Sequence, residues 1–272
     1  MADSAFEINT VKPAKHSRLY WGLSDSLTLI GRSMRHITRS MDQLLSVAFQ
    51  PIMFMLLFRY VFGGAIDTGG PSYVNYLVAG ILVQSAAFGA TTTAIGVCND
   101  LQRGIVDRLK SLPMLSSAVL TGHVVADLAR NVASSVIMIL VGLLVGFRPN
   151  ANFMEWLGIF GILLLFTLAI SWLSAMLGML AKSIEGVQWF SFVVIFPLTF
   201  ASSAFVRPET MPGVLRAFAE NQPVSHVVDA IRALLIGTPI GNHGWMAVAW
   251  CVGILVVSLP LAGWLFRRHT SK

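Results

Sequence analysis

Beyond residue 43 the chain alternates long apolar stretches with short polar joints. Six stretches stand out, over residues 44–62, 76–98, 119–147, 156–180, 187–206 and 245–266. Each approximates the ~20 residues that an α-helix needs to cross about 30 Å of hydrocarbon. In lipid, backbone N–H and C=O groups are satisfied only within helices or a closed barrel. The stretches are too long and too uniformly apolar for barrel strands. The pattern therefore predicts an all-α integral membrane protein with six transmembrane helices. The third stretch, with 29 residues, measures about 43 Å as a helix, so it is expected to protrude into the cytoplasm.

The polar joints carry patterns of their own. Leu27, Ile30, Met34, Ile37 and Met41 step by three and four, with Arg32, Arg35, His36 and Arg39 among them. That is the pattern of a basic amphipathic helix lying in the headgroup plane, its cations facing anionic lipid. It is expected over 21–43, after a flexible cytoplasmic tail at 1–20. Asp3 and Glu7 occupy what would be a basic leader region, so no signal peptide is expected.

In the second joint, Leu101, Ile105, Leu109 and Leu112 mark one helical face, while Arg103, Asp107 and Lys110 mark another. Pro113 ends the pattern, because proline lacks the N–H that an interior turn requires. A short helix over 99–113, lying across the cytoplasmic mouth, suits docking of a soluble partner. A solvated loop helix without a partner fits the composition equally well.

The outer segment, 207–244, is punctuated by Pro208, Pro212, Pro223 and Pro239, and Val227, Val228, Ile231, Leu234 and Leu235 are spaced as an amphipathic helix. Two short re-entrant helices in the outer leaflet are expected. His226, Asp229 and Arg232 lie one turn apart, either as a hydrogen-bonded structural cluster or as part of an outer gate.

Composition agrees with a membrane chain. Charged residues make up 12% and mean hydropathy is +0.71, whereas soluble domains carry about 25% charged residues. Residues 44–272 read as one membrane unit. The pI near 9.7 then reports topology rather than a nucleic-acid partner. Thirteen Lys and Arg fall on the side of the termini and the second and fourth joints, against four on the other side. Basic residues concentrate on the cytoplasmic face, so both termini are expected there. Cys98 and Cys251 fall near opposite ends of their spans, too far apart for a disulfide.

Candidate chemistry within the spans is sparse. Asp127 and Arg130, at i and i+3, form either a structural pair at the inner interface or a proton or substrate relay. Ala86, Ala90 and Ala94, and likewise Gly142 and Gly146, form small-residue ladders that allow close helix approach. Phe54 and Phe58, Gln84 and Phe88, and Phe192, Phe196 and Phe200 either pack ordinary helices or line a path for apolar cargo. His, Asp and Glu nowhere cluster with catalytic or metal-ligand spacing, so neither an enzyme nor a metal site is expected. A secondary transporter driven by an ion gradient stays as the alternative, although internal repeats are lacking.

Taken together, the run from Asn99 to Pro113, residues 32–62, residues 76–84, and Asn221-Gln222-Pro223 with Asp229, Arg232 and Gly237 resemble ABC-2-type transporter permeases. The likeness is to the daunorubicin/doxorubicin-resistance type of exporter permease. It implies a bacterial inner-membrane permease, acting as a pair of identical or related chains among membrane lipids, each docking an ABC ATPase subunit. The implied cargo is apolar or amphipathic, a drug or lipid-like molecule. The resemblance also implies that Asp100, Arg103, Gly104, Asp107 and Arg108 form the ATPase-coupling contact, with Gly104 permitting close backbone approach. The chain has no G-x-x-x-x-G-K-[ST] loop. ATP and Mg are accordingly expected on the partner, and no cofactor on this chain.

Overall fold

The computed structural model describes residues 41–63, 73–104, 117–181 and 183–270. The expected tail, most of the interfacial helix, and the joint beyond Gly104 lie outside the described residues. Those described form helices and turns, without a strand. Helix α1 (Met41–Leu57) continues as a π-helical turn, Phe58–Phe62, and is followed by α2 (Tyr73–Gln102), α3 (Ser117–Val145), α4 (Phe153–Leu180) and α5 (Ile184–Phe200). After a 3-10 turn at Pro208–Thr210 come α6 (Gly213–Asn221), α7 (Pro223–Ile236) and α8 (His243–Thr270). Helices α2, α3, α4 and α8 are long and apolar enough to cross a membrane, while Ala48–Phe62 and Ile184–Phe200 are shorter apolar helices.

Local chemistry sets several boundaries. Asn152 and Glu155 begin α4 with a reciprocal capping box, at 3.0 and 2.6 Å, which satisfies two otherwise orphaned N–H groups. Ser183 caps α5 through Gly186 N at 3.0 Å. The fifth apolar stretch runs to 206, yet α5 stops at Phe200. Pro197 lies in its last turn and has no N–H for the helix ladder. The following turn bonds elsewhere: the Ser203 amide donates to Ser225 Oγ at 3.1 Å, and Gln222 Nε2 donates to Ala201 O at 2.6 Å.

Helix α2 is the hub, packing most extensively on α4 and then against α3, α5, α7 and α1. It is buried nearly all round from Tyr73 to Gln84, and on one side only from there to Cys98. Two glycines allow close approach between backbones. A Cβ on Gly80 would lie 2.2 Å from Ala204 O, and one on Gly178 would lie 2.3 Å from Ala94 O. The alanine ladder of α2 therefore meets α4 at Ala94. In the glycine ladder of α3 only Gly142 touches another helix, at ordinary contact distance. Gly142 faces its own Phe147 and Val78, and Gly146 has open space around it and a φ of +106°, ending the helix where L-residues are strained.

At 14 residues, α7 extends about 21 Å, short of a full crossing. Val227, Val228, Ile231, Leu234 and Leu235 are all buried, as their spacing implies. Gly237, with φ +79°, closes the helix, and its amide and that of Thr238 both reach Ala233 O at 2.9 Å.

Candidate functional site

The aromatic residues singled out in the sequence converge along one side of α2. Along α5, Phe192, Phe196 and Phe200 stack with ring centroids 5.0 and 4.3 Å apart. The run continues to Phe54 on α1 at 6.1 Å and on to Phe58 at 6.2 Å. Such separations suit offset or tilted aromatic pairs. Phe205 completes the cluster from the turn after α5, 4.5 Å from Phe58 and 5.0 Å from Phe200. Sequence spacing places Phe205 at the far end of a span; the break at Pro197 folds it back.

Beside this run, Phe54, Gln84 and Phe88 line a cavity of 240 Å³ together with Gln50, Ser85 and Thr92. The Gln84 side chain is buried and its Nε2 has no hydrogen-bond partner. A buried amide donor normally finds one, since leaving it unmade costs about 1–3 kcal/mol. Phe192 and Phe196 are exposed, as are Trp189 and Val193 on α5 and Phe49 and Met53 on α1.

The residues singled out in the 207–244 segment also come together, with a division of labour. Arg232 is buried and joins three elements. Its Nη1 pairs with Asp229 Oδ1 at 2.5 Å, Nη2 donates to Ser203 O at 2.6 Å, and Nε donates to Tyr76 O at 3.3 Å. The guanidinium sits 3.6 Å from the Tyr76 ring centroid, and the Tyr76 hydroxyl donates to the same Ser203 O at 2.8 Å. Arg232 thus fastens α7 to the start of α2 and to the turn after α5.

His226 turns away from that cluster, its Nδ1 lying 3.3 Å from Nδ1 of His243 at the start of α8. Burial, and then the neighbouring His243, hold the His226 imidazole below its ordinary value, with Asp229 pulling the other way. Arg207, Glu209, Glu220, Asp229 and His243 surround a polar cleft of 590 Å³. Tyr76 and His243 carry no signal in the sequence, because their partners lie far along the chain.

At the other end of the bundle, Asn99 and Asp100 belong to the last turns of α2, so the helix expected over 99–113 does not start as a separate element at 99. The chain turns through Arg103 and Gly104, whose amides reach Asn99 O at 3.0 Å and Leu101 O at 3.2 Å. Gly104 has φ +64°, and a Cβ there would meet nothing within 4 Å. Its left-handed turn ends α2. Asp100 bonds His123 of α3 at 2.8 Å, while Arg103 is exposed. Asp107 and Arg108 lie outside the described residues.

Asp127 is fully enclosed. Ser171 of α4 donates to its Oδ2, Arg130 Nη2 reaches Oδ1 at 3.3 Å, and Asn131 Nδ2 lies 3.4 Å from Oδ1. Both carboxylate oxygens are thus engaged by groups of α3 and α4. Cys98 and Cys251 are free, buried thiols.

Comparison with known proteins gives a consistent picture. Residues 25–236 match the family described as ABC-2 type transporter. The chain is 33% identical over 249 residues to the daunorubicin resistance ABC transporter permease protein DrrB1 of Streptomyces coeruleorubidus, covering 92% of this chain and 88% of the relative. It is 25% identical to the probable doxorubicin resistance ABC transporter permease protein DrrC of Mycobacterium tuberculosis, over 88% of this chain and 87% of that protein. Nodulation protein J of Rhizobium leguminosarum bv. trifolii is 26% identical, over 75% of this chain and 77% of its own length.

Proposed function

Because the chain belongs to the ABC-2 type transporter family, we propose that it is the membrane subunit of an ATP-driven exporter that moves an apolar or amphipathic cargo, drug or lipid-like, out of the cytoplasm or inner leaflet. The observation that carries this reading is the continuous aromatic run from Phe192 to Phe54, beside a cavity holding the unpaired Gln84 amide. Stacked rings offer apolar contact with little geometric demand.

The exposed apolar faces of α1 and α5 support pairing with a second permease, identical or related, so that two aromatic runs face one route. Six crossings fit this arrangement, with α1 and α5 as the two shorter spans, α6 and α7 on the outer side and both termini in the cytoplasm of a bacterial inner membrane. The outer polar cleft, with Asp229 and His243, is the exit, and Arg232 fixes its wall.

ATP and Mg act on a separate ATPase subunit. Arg103, Asp107 and Arg108 dock it, since the Asp100 carboxylate is already engaged by His123. Nucleotide-driven closure of two ATPases drives the change. The shift obtainable is limited to the difference in binding free energy between the two permease states.

The test is purification of the tagged chain from its native membrane in mild detergent, followed by transport in proteoliposomes with daunorubicin as the probe. A stoichiometric ATPase bearing a phosphate-binding loop, with ATP-dependent movement weakened by Phe196→Ala, is the expected outcome. Movement driven by an ion gradient without any ATPase would overturn the proposal in favour of a secondary transporter.

A further inference from the structure

One side-chain contact bridges the C-terminal part of α2 and the N-terminal part of α3. His123 Nε2 lies 2.8 Å from Asp100 Oδ2, with both side chains largely shielded, at 28% and 21% exposure. A carboxylate accepts, so Nε2 carries the proton. The imidazole lies against bare α2 backbone one turn further in. A Cβ on Gly96 would come within 2.9 Å of His123 Cε1 and Nδ1. Three residues on two helices thus form one fitted contact: an acid on the last turns of α2, a ring on the early turns of α3, and a glycine that makes room for it. Immediately beyond Asp100, Gly104 turns the chain out of α2 with its left-handed φ.

From this geometry we infer that His123 is a positioning residue that ties the two arms of the cytoplasmic joint together through Asp100, so that motion delivered to the joint moves α2 and α3 as one body. The inference rests on the reading of the joint as the ATPase-coupling element. The mechanics are simple. A push on a segment anchored at two unlinked helix ends is absorbed by splaying those ends. With the ends bonded, the displacement passes into α2, which packs on α1, α4, α5 and α7 as well as α3, and so reaches both the aromatic run and the outer cluster. Asp100 on this view does not contact the ATPase; it serves the joint from within.

The experiment uses the purified permease–ATPase complex, with spin labels at Leu144→Cys and Val214→Cys, two highly exposed positions at the end of the bundle opposite the joint. Vanadate trapping of Mg-ATP is the perturbation, so no cargo is needed. The readouts are ATPase retention, nucleotide trapping and the label-to-label distance. In the otherwise native chain, trapping is expected to shift the distance. His123→Ala and Asp100→Asn are each expected to abolish the shift while the ATPase stays bound and still traps nucleotide, and the double variant is expected to be no worse than either single one. His123→Gln, which can still donate to Asp100, and the exchange Asp100→His/His123→Asp are expected to restore it.

A full shift in His123→Ala would overturn the inference while leaving the exporter reading intact. Loss of bound ATPase in Asp100→Asn alone would also overturn it, by returning Asp100 to the docking surface. Failure to recover any ATPase with the native chain, or absence of a shift on trapping it, would remove the coupling reading and this inference with it.

Discussion

Replacing Arg232 by methionine keeps most of the side-chain volume and removes the charge that holds three elements together. The Asp229 ion pair goes, as do the bonds to Ser203 O and Tyr76 O and the stacking on the Tyr76 ring. Breaking a buried ion pair by removing one partner costs about 3–5 kcal/mol. Asp229 is 25% exposed and borders the polar cleft, so water partly compensates it, and the low end of that range, about 3 kcal/mol, is expected. For a chain of this size that corresponds to a fall in Tm of about 6–12 °C.

The assay is built into the chain. Cys98 and Cys251 are buried and react with a thiol dye only as the fold opens. Because part of the cost is the stranded carboxylate, Arg232→Met with Asp229→Leu is expected to recover a portion of the loss, whereas Arg232→Lys keeps a charge but cannot span the same acceptors. A melting point for Arg232→Met within about 2 °C of the native chain would refute the staple argument, since that shift corresponds to less than about 1 kcal/mol.

Gly80→Val puts side-chain atoms where Ala204 O already sits, and should lower the yield of folded protein and the melting point sharply. Gly161→Ala on α4 meets open space, so it should leave the melting point unchanged or raise it slightly through helix propensity, by at most about 1 kcal/mol. Phe192→Ala and Phe196→Ala remove exposed rings; ATP-dependent daunorubicin transport should fall several-fold with little change in melting, and a large stability loss would mark these rings as packing instead. His226 binds its proton less readily in the fold than in the unfolded chain, so its contribution is complete above its ordinary value near pH 6.5 and is lost as pH falls through the lower folded value. Melting measured at about pH 8 and about pH 5.5, on either side of that ordinary value, should therefore differ less in His226→Gln than in the native chain, and an equal difference would assign the acid sensitivity to other groups.

Much of this protein was determined by local sequence. The helices α2, α3, α4 and α8, the capping box at Asn152 and the stop at Gly237 follow from hydropathy, side-chain oxygens and backbone conformation acting within a few residues. The buried face of α7 followed from its spacing for the same reason. The order of motifs sufficed for the family. Tertiary structure decided what those elements are for. Whether Phe54 and Phe200 line one surface, and whether Phe205 joins them, depends on how α1 and α5 flank α2 and on the turn that Pro197 introduces. Arg232 reads in sequence as a partner for Asp229, yet it also holds backbone 156 residues away at Tyr76 and at the Ser203 turn. Asp100 reads in sequence only as part of the coupling contact that the resemblance implies, and its bond to His123 exists because α3 brings that residue to it. A helix announces itself by periodicity because its hydrogen bonds are local. A contact between helices has no period, since it depends on which faces the packed bundle happens to bring within a few ångströms.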